Sequence, residues 1–187
     1  MTSTMKIGPQ PQIRRPLIIE NDAIEAVNEF VYLGTLVNTE NDTTSEINRR
    51  ICTANRCYFG LNLLFKSTVI SRNTKVKLYK TIIRPVLTYG SETWTLTKSN
   101  ENMLGCFERK RLRRIYRAVN ENGVCRRRYN FELYRIYHEP DIVKHIKIGR
   151  LTWVGHVMRM EQTDPARKRS LIDLLVKEEE EDPEQDS

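Results

Sequence analysis

The segment Leu104 to Arg128 reads LGCFERKRLRRIYRAVNENGVCRRR and sets nine basic side chains against two acids, Glu108 and Glu121. At about 100° per residue, Leu104, Phe107, Leu112, Ile115, Ala118 and Val119 fall on one stripe of a helix. Arg109, Lys110, Arg113, Arg114 and Arg117 fall on the opposite side, and Arg111 alone breaks the pattern by sitting among the apolar residues. The spacing predicts an amphipathic helix that docks on a core and turns a cationic face outward. A mixed-sign face of this kind would be read as merely solvated. Here the face has one sign and arginine dominates it, a side chain whose planar fork grips phosphate in two-point fashion. Arg126, Arg127 and Arg128 add a second basic cluster after the Asn120–Gly123 turn.

The charge is unevenly spread. The net charge of +7 conceals an acidic end, Lys177 to Ser187, that contributes −6, so residues 1–176 carry +13. A basic body with an acidic tail suits a polyanionic partner, with the tail either competing for the same surface or simply solubilising the end. With 39% hydrophobic and 29% charged residues over 187 positions, the composition allows one ordinary domain with a thin core. Cys52, Cys57, Cys106 and Cys125 form no CxxC pair and stand at no zinc spacing with a histidine, so reduced thiols of an intracellular protein are expected. No apolar run approaches the length of a membrane span, and no signal-peptide core opens the chain.

Working outward, residues 1–16 carry three prolines and no periodicity, and disorder is expected there. Leu17–Ile19 and Ile24–Val27 read as paired strands around a turn at Glu20–Ala23. Phe30–Val37 reads as a further strand, with Gly34 marking a bulge or a close backbone approach. Thr43 and Glu46 have capping-box spacing ahead of Ile47, Ile51, Ala54, Tyr58, Leu61 and Phe65, which predicts a helix over about 45–66 with Gly60 as its weak point. Ser71 is placed to cap a second helix, kinked or ended by Pro85 and stopped at Tyr89–Ser91. Thr97 or Ser99 caps the basic helix, and Asn130 caps a short helix over FELYRIY. Pro140 suits the first turn of the last helix, which runs from about Asp141 to Met158 or Met160 with Ile142, Ile146, Leu151, Val154 and Val157 as its buried face. Lys144, Lys147, Arg150 and Arg159 extend the basic surface. From residue 164 onward the composition turns polar and then acidic, apart from LIDLLV at 171–176.

Isolated reactive residues carry little. His156 has no partner at ligand spacing and is expected to pack beside Trp153. Trp94 and Tyr89, flanked by Val86, Leu87 and Leu96, are expected in the core rather than as stacking platforms. Ser91 and Ser99 have no histidine and acid arranged about them, and no phosphate-loop or dinucleotide motif occurs.

Three segments carry a family signal together: Phe30-Val31-Tyr32-Leu33-Gly34, RPVLTYGSETWTLT (Arg84 to Thr97) and RLTWVGHVMRM (Arg150 to Met160), with FERKRLRRIY and RRRYNFELY between them. In this order and spacing the set resembles the C-terminal part of the reverse transcriptase of non-LTR retrotransposons, RTE-type and related LINE-like elements, over Leu17 to Met160. The resemblance implies a mainly α fold: a small β-hairpin unit (17–38), a thumb-like helical bundle (43–95), basic post-thumb helices (96–163) and disordered ends. It implies that Tyr32, Leu33 and Gly34 lie in a primer-gripping hairpin. It also implies that Arg109, Lys110, Arg113, Arg114, Arg117, Arg126, Arg127 and Arg128 meet RNA or DNA backbone with low sequence specificity. The family's catalytic signature, two adjacent aspartates after an aromatic residue and an alanine, does not occur in these residues. Magnesium would belong to that palm motif, so no metal or other cofactor is expected here and the chain is read as a truncated remnant, inactive by itself. An apolar surface that packs on the palm in the family is expected to support self-association. The alternative is a helical interaction module or an inert relic without a nucleic-acid role.

Overall fold

The computed structural model describes residues 3–4, 17–19, 22–40, 42–165 and 167. The fold is mainly helical with small hairpins, as the patterning predicts. The expected polar and acidic end beyond residue 167, including LIDLLV, lies outside the described residues, as does most of the stretch 1–16. Within the latter, Ser3–Thr4 (β1) runs parallel to Asp22–Ala26 (β3), so those two residues are in a strand where disorder is expected. Leu17–Ile19 (β2) pairs antiparallel with β3 in the register Leu17 to Ile24, Ile18 to Ala23 and Ile19 to Asp22.

Phe30–Val37 is not one bulged strand. Glu29–Tyr32 (β4) and Thr35–Asn38 (β5) form a hairpin closed by Leu33 and Gly34, with φ of 47° and 81°. Two consecutive left-handed residues are what a primed two-residue turn requires, and they match the twist of the strands on either side. The same geometry recurs at Asn122 and Gly123 (φ 51° and 86°), which close Val119–Glu121 (β6) on Val124–Arg126 (β7). The expected simple turn at 120–123 is thus a hairpin, for which Asn-Gly is the strongest short signal.

Thr44–Gly60 (α1) starts without the expected capping box. The Thr43 hydroxyl instead donates to the Thr95 carbonyl, and Asp42 Oδ1 accepts from the Thr44 amide. Glu46, 2% exposed, is drawn away by tertiary partners: it accepts from the Leu36 amide at 2.9 Å and pairs with Arg49 and Arg50 at 2.7 and 2.6 Å. Both arginines also donate to the Gly34 carbonyl, and Tyr89 Oη donates to Leu33 O, so the β4–β5 hairpin is tied down on α1. The helix breaks after Gly60, and Asn62–Lys66 (α2) resumes it. Ser71 caps Arg72–Leu78 (α3) by accepting from the Thr74 amide. A π turn over Tyr79–Ile83 leads into Arg84–Thr88 (α4), placing the wider turn just where Pro85 withholds a donor and crowds the preceding carbonyl. Gly90, at φ 72°, ends the run as expected, and a Cβ there would meet Thr35 Oγ1 at 2.9 Å.

Lys98–Tyr116 (α5), capped by Thr97, is the central helix and contacts α1, α3, Asn130–Tyr137 (α6) and Ile142–Val157 (α7). Its buried face is Leu104, Phe107, Leu112, Ile115 and Tyr116, which join Ile47, Ala54, Tyr58, Phe65, Tyr79, Ile83, Leu87, Trp94, Leu133, Tyr137, Ile142 and Ile146 in one core. Ala118 and Val119 leave the stripe because the helix stops at Tyr116. The α6 cap is Tyr129, whose amide donates to Glu132, while Asn130 accepts from Arg113. Asp141 caps α7 by accepting from the Lys144 amide, at the start expected for this helix. Leu151 is 72% exposed because it lies about 140° around the helix from Ile146, off the face that meets α5. Trp153 and His156 are both exposed, so the histidine expected to pack beneath the helix lies at the surface instead. Trp94 is buried, but Tyr89 is 53% exposed beneath the Arg50 guanidinium. Among the described residues, no helix is long and apolar enough to cross a membrane.

Candidate nucleic-acid interface

The cationic side of α5 lines an open groove rather than a flat or convex surface. The C-terminal end of α1 and the start of α2 run along one side of it, and the β6–β7 hairpin with the strand-like exit to α6 closes the other. Between them lies a groove of about 530 Å³. Its walls are Lys110, Arg111, Arg113, Arg114, Arg117, Arg126, Arg127 and Arg128; Tyr58, Phe59, Asn62, Ala118 and Cys125 complete the lining. No aspartate or glutamate lines it. A concave surface of one sign concentrates counter-charge more strongly than a convex one.

The cations divide by what else they do. Arg126 is committed: it bridges Glu121 and Glu132, and Glu132 is held down at about 2 by Arg126 and the Tyr129 amide. Arg113 donates to the Arg128 carbonyl and to Asn130, fastening the hairpin exit to α5. Burial, with the Arg127 and Arg109 charges nearby, lowers its affinity for a proton. Arg128 donates through Nε to the Arg117 carbonyl at 3.0 Å, which helps hold Arg117 in a left-handed conformation. Arg111, 6% exposed, lies over the rings of Tyr58, Phe59 and Phe107 at 4.1, 5.6 and 5.1 Å and donates to Asn55. The pattern-breaking arginine is therefore a stacked, structural one. Lys110, Arg114, Arg117 and Arg127 are exposed and form no ion pair among the described residues. They are the charges available to an incoming anion.

Of the eight basic residues expected at a binding surface, seven line the groove. Arg109 does not; it is half-buried with its guanidinium 3.3 Å from Cys106 Sγ. Tyr32 and Leu33 are exposed at the hairpin tip, and Gly34 forms its turn; none of the three lines the groove. Lys147, expected to extend the basic surface, is neutralised by Glu101 at 2.6 Å. Among the described residues no cluster of histidine, cysteine, aspartate and glutamate is fit to hold a metal, and all four cysteines are free.

No family model and no solved structure matches this sequence. A curated relative does: the chain is 28% identical over 136 residues to an uncharacterised transposon-derived protein of Caenorhabditis elegans, an alignment covering 73% of this chain and 48% of the relative. The chain is a distant homologue of a transposon-derived protein. It spans about half the length of that relative.

The aromatic lining of the groove and the buried support behind it are not legible in the sequence. Tyr58 and Phe59 come from another helix, 50 residues and more from the arginines, and their heptad-like spacing marks Tyr58 only as core. Glu108 was visible as a lone acid in a basic run, yet its role needs the tertiary structure. It is completely buried and accepts from Tyr79 Oη (3.2 Å), Tyr134 Oη (3.2 Å) and the Ile142 amide (2.8 Å). It thereby pins the π turn, α6 and α7 onto the back of the helix that presents the cations.

Proposed function

We propose that this chain is a thumb and post-thumb remnant of a non-LTR retrotransposon reverse transcriptase. In this reading it has no polymerase activity of its own and binds RNA or DNA backbone without sequence preference. The observation that carries the proposal is the acid-free groove along α5, in which Lys110, Arg114, Arg117 and Arg127 stand unpaired over an aromatic floor. The distant transposon-derived homologue and the ordered family-like segments support the origin. Affinity would come from phosphate contacts and the release of counterions, with no catalytic step. The β4–β5 tip belongs, in this reading, to the primer-gripping hairpin, with Tyr32 and Leu33 exposed for contact.

The test is a salt titration of the full chain on labelled single-stranded RNA and duplex DNA, with Lys110, Arg114 and Arg127 together changed to alanine. Four phosphate contacts give a slope of log affinity on log salt of about −3 on a single strand, and the triple variant should retain about −1. Equal binding and equal slopes for wild type and variant would remove the proposal. A second reading, a helical interaction module, is favoured by one observation: Phe30, Val31, Tyr32 and Leu33 are all about half exposed or more on one hairpin. Concentration-dependent self-association abolished by Val31→Lys and unaffected by nucleic acid would support it.

A further inference from the structure

Behind the end of α5 lies a second, smaller cavity of about 220 Å³, lined by Ser67, Thr68, Ile70, Ser71, Arg72, Lys75, Ile115 and Arg117. It has three cations, three hydroxyl residues and no acid. Lys75 is only 4% exposed, and the single acceptor it meets among the described residues is the Ser67 carbonyl. A covered ammonium normally has a carboxylate partner, because its lost hydration must be replaced. Here burial and the neighbouring Arg117 charge both push its proton affinity down, and no opposing acid offsets them. The Ser67 hydroxyl accepts from the Val69 amide, which leaves its own hydrogen available to donate.

Arg117 adds a second departure. Its φ of 62° and ψ of −179° lie in a region that glycine alone adopts readily, so the backbone is strained at this residue. Arg117 also lines both cavities, so it stands where the large groove meets the small one. The chain thus holds a covered lysine with no acid partner among the described residues and a strained arginine side by side at the end of a cationic groove.

We infer that the small cavity is a phosphate-binding subsite, in which Lys75, Arg117 and Arg72 hold one phosphate group and the Ser67 hydroxyl donates to it. The inference deepens the groove reading and rests on it for the source of the phosphate, but not for the site itself. Two sources share this chemistry: the terminal phosphate of a strand, and a diester within it. A charged, hydrogen-bonded phosphate contact of this kind should be worth about tenfold or more in affinity.

The experiment has three arms on the full chain. Inorganic phosphate, against chloride at matched ionic strength, should raise the melting temperature of wild type and not of Lys75→Gln, a change that keeps a donor for the Ser67 carbonyl. A 5′-phosphorylated RNA oligonucleotide should bind about tenfold more tightly than its 5′-hydroxyl twin if the terminal group is the ligand. If a backbone diester is the ligand, Lys75→Gln should weaken both equally. Arg117→Gly should bind more weakly in the same assays yet melt higher, since it relieves the backbone while removing the charge. The inference is overturned if phosphate leaves wild-type melting unchanged and Lys75→Gln binds both oligonucleotides as wild type does. If the groove variant loses its salt slope while phosphate stabilisation persists, the subsite stands; if the reverse, only the groove does.

Discussion

Glu108→Ala should be among the most damaging single changes in this protein, although it touches no surface and removes a residue of the wrong sign for its basic helix. The carboxylate is completely buried and is the shared acceptor for Tyr79, Tyr134 and the Ile142 amide. Alanine strands two donors that are themselves fully buried, the Tyr79 hydroxyl and the Ile142 N–H, at about 1–3 kcal/mol each. The Tyr134 hydroxyl is only partly covered and can turn to water, so it adds little. Relief of the buried charge returns part of the sum, and we expect a net loss of about 3–4 kcal/mol, a large fraction of the 5–15 kcal/mol typical of a domain. With an m-value of about 2 kcal/mol per molar urea, the midpoint should fall by roughly 1.5–2 M. Glu108→Gln keeps the shape and can accept from Ile142 and Tyr134 while Tyr79 reverses to accept from the amide, so it should lose far less. Burial raises the Glu108 proton affinity in spite of its three donors. An acid so shifted favours folding at pH below its unfolded value and forfeits that advantage as pH rises through the folded one. The gap between Gln and wild type should therefore narrow, or invert, toward neutral pH. A Glu108→Ala midpoint within about 0.5 M of wild type, measured by circular dichroism, would refute the network as the clamp on α6 and α7.

Glu46 should behave in the opposite sense. Burial pushes it up, but Arg49, the Leu36 amide and Arg50 outweigh burial and hold it below its usual 4.5, so its contribution is complete above that value and disappears as pH falls through the lowered one. Amide protection over 29–38, taken relative to the intrinsic exchange rate at each pH, should fall on acidification in wild type and be low at every pH in Glu46→Ala. Leu33→Asn should stabilise by about 0.5–1 kcal/mol in thermal melts, because Leu33 is 74% exposed and held at φ 47°, where asparagine is better tolerated; a lower melting temperature would contradict this. Arg126→Ala should weaken RNA binding less through its own charge than by freeing Glu121 and Glu132 beside the groove. Adding Glu121→Gln and Glu132→Gln should restore most of the loss in a binding titration.

Local rules were enough to place most of the elements. Periodicity located α1 and the apolar face of α5, Ser71 and Thr97 announced their helices, and Gly90 announced the stop. The same rules failed where a side chain had two possible partners. Thr43 and Glu46 have capping-box spacing, yet each bonds to residues 10–52 positions away, because a buried carboxylate gains more from two arginines and a distant amide than from its own helix end. Leu151 satisfied a loose apolar pattern but not the narrower face that α5 actually covers.

The binding surface divides the same way. Charge and spacing by themselves determined that α5 is amphipathic, that its outer face is cationic and that Arg111 lies on the wrong side. Only the tertiary structure decided which of those cations are free. Arg113, Arg126 and Arg128 spend their donors on carbonyls, Asn130 and two glutamates, while Lys110, Arg114, Arg117 and Arg127 do not. It also decided that Tyr58, Phe59 and Lys75, from helices well before α5 in the chain, complete the two cavities. The reason is physical: a charge count is additive along the chain, whereas availability depends on which acceptors folding brings within about 3 Å, and that is set by packing between segments far apart in sequence.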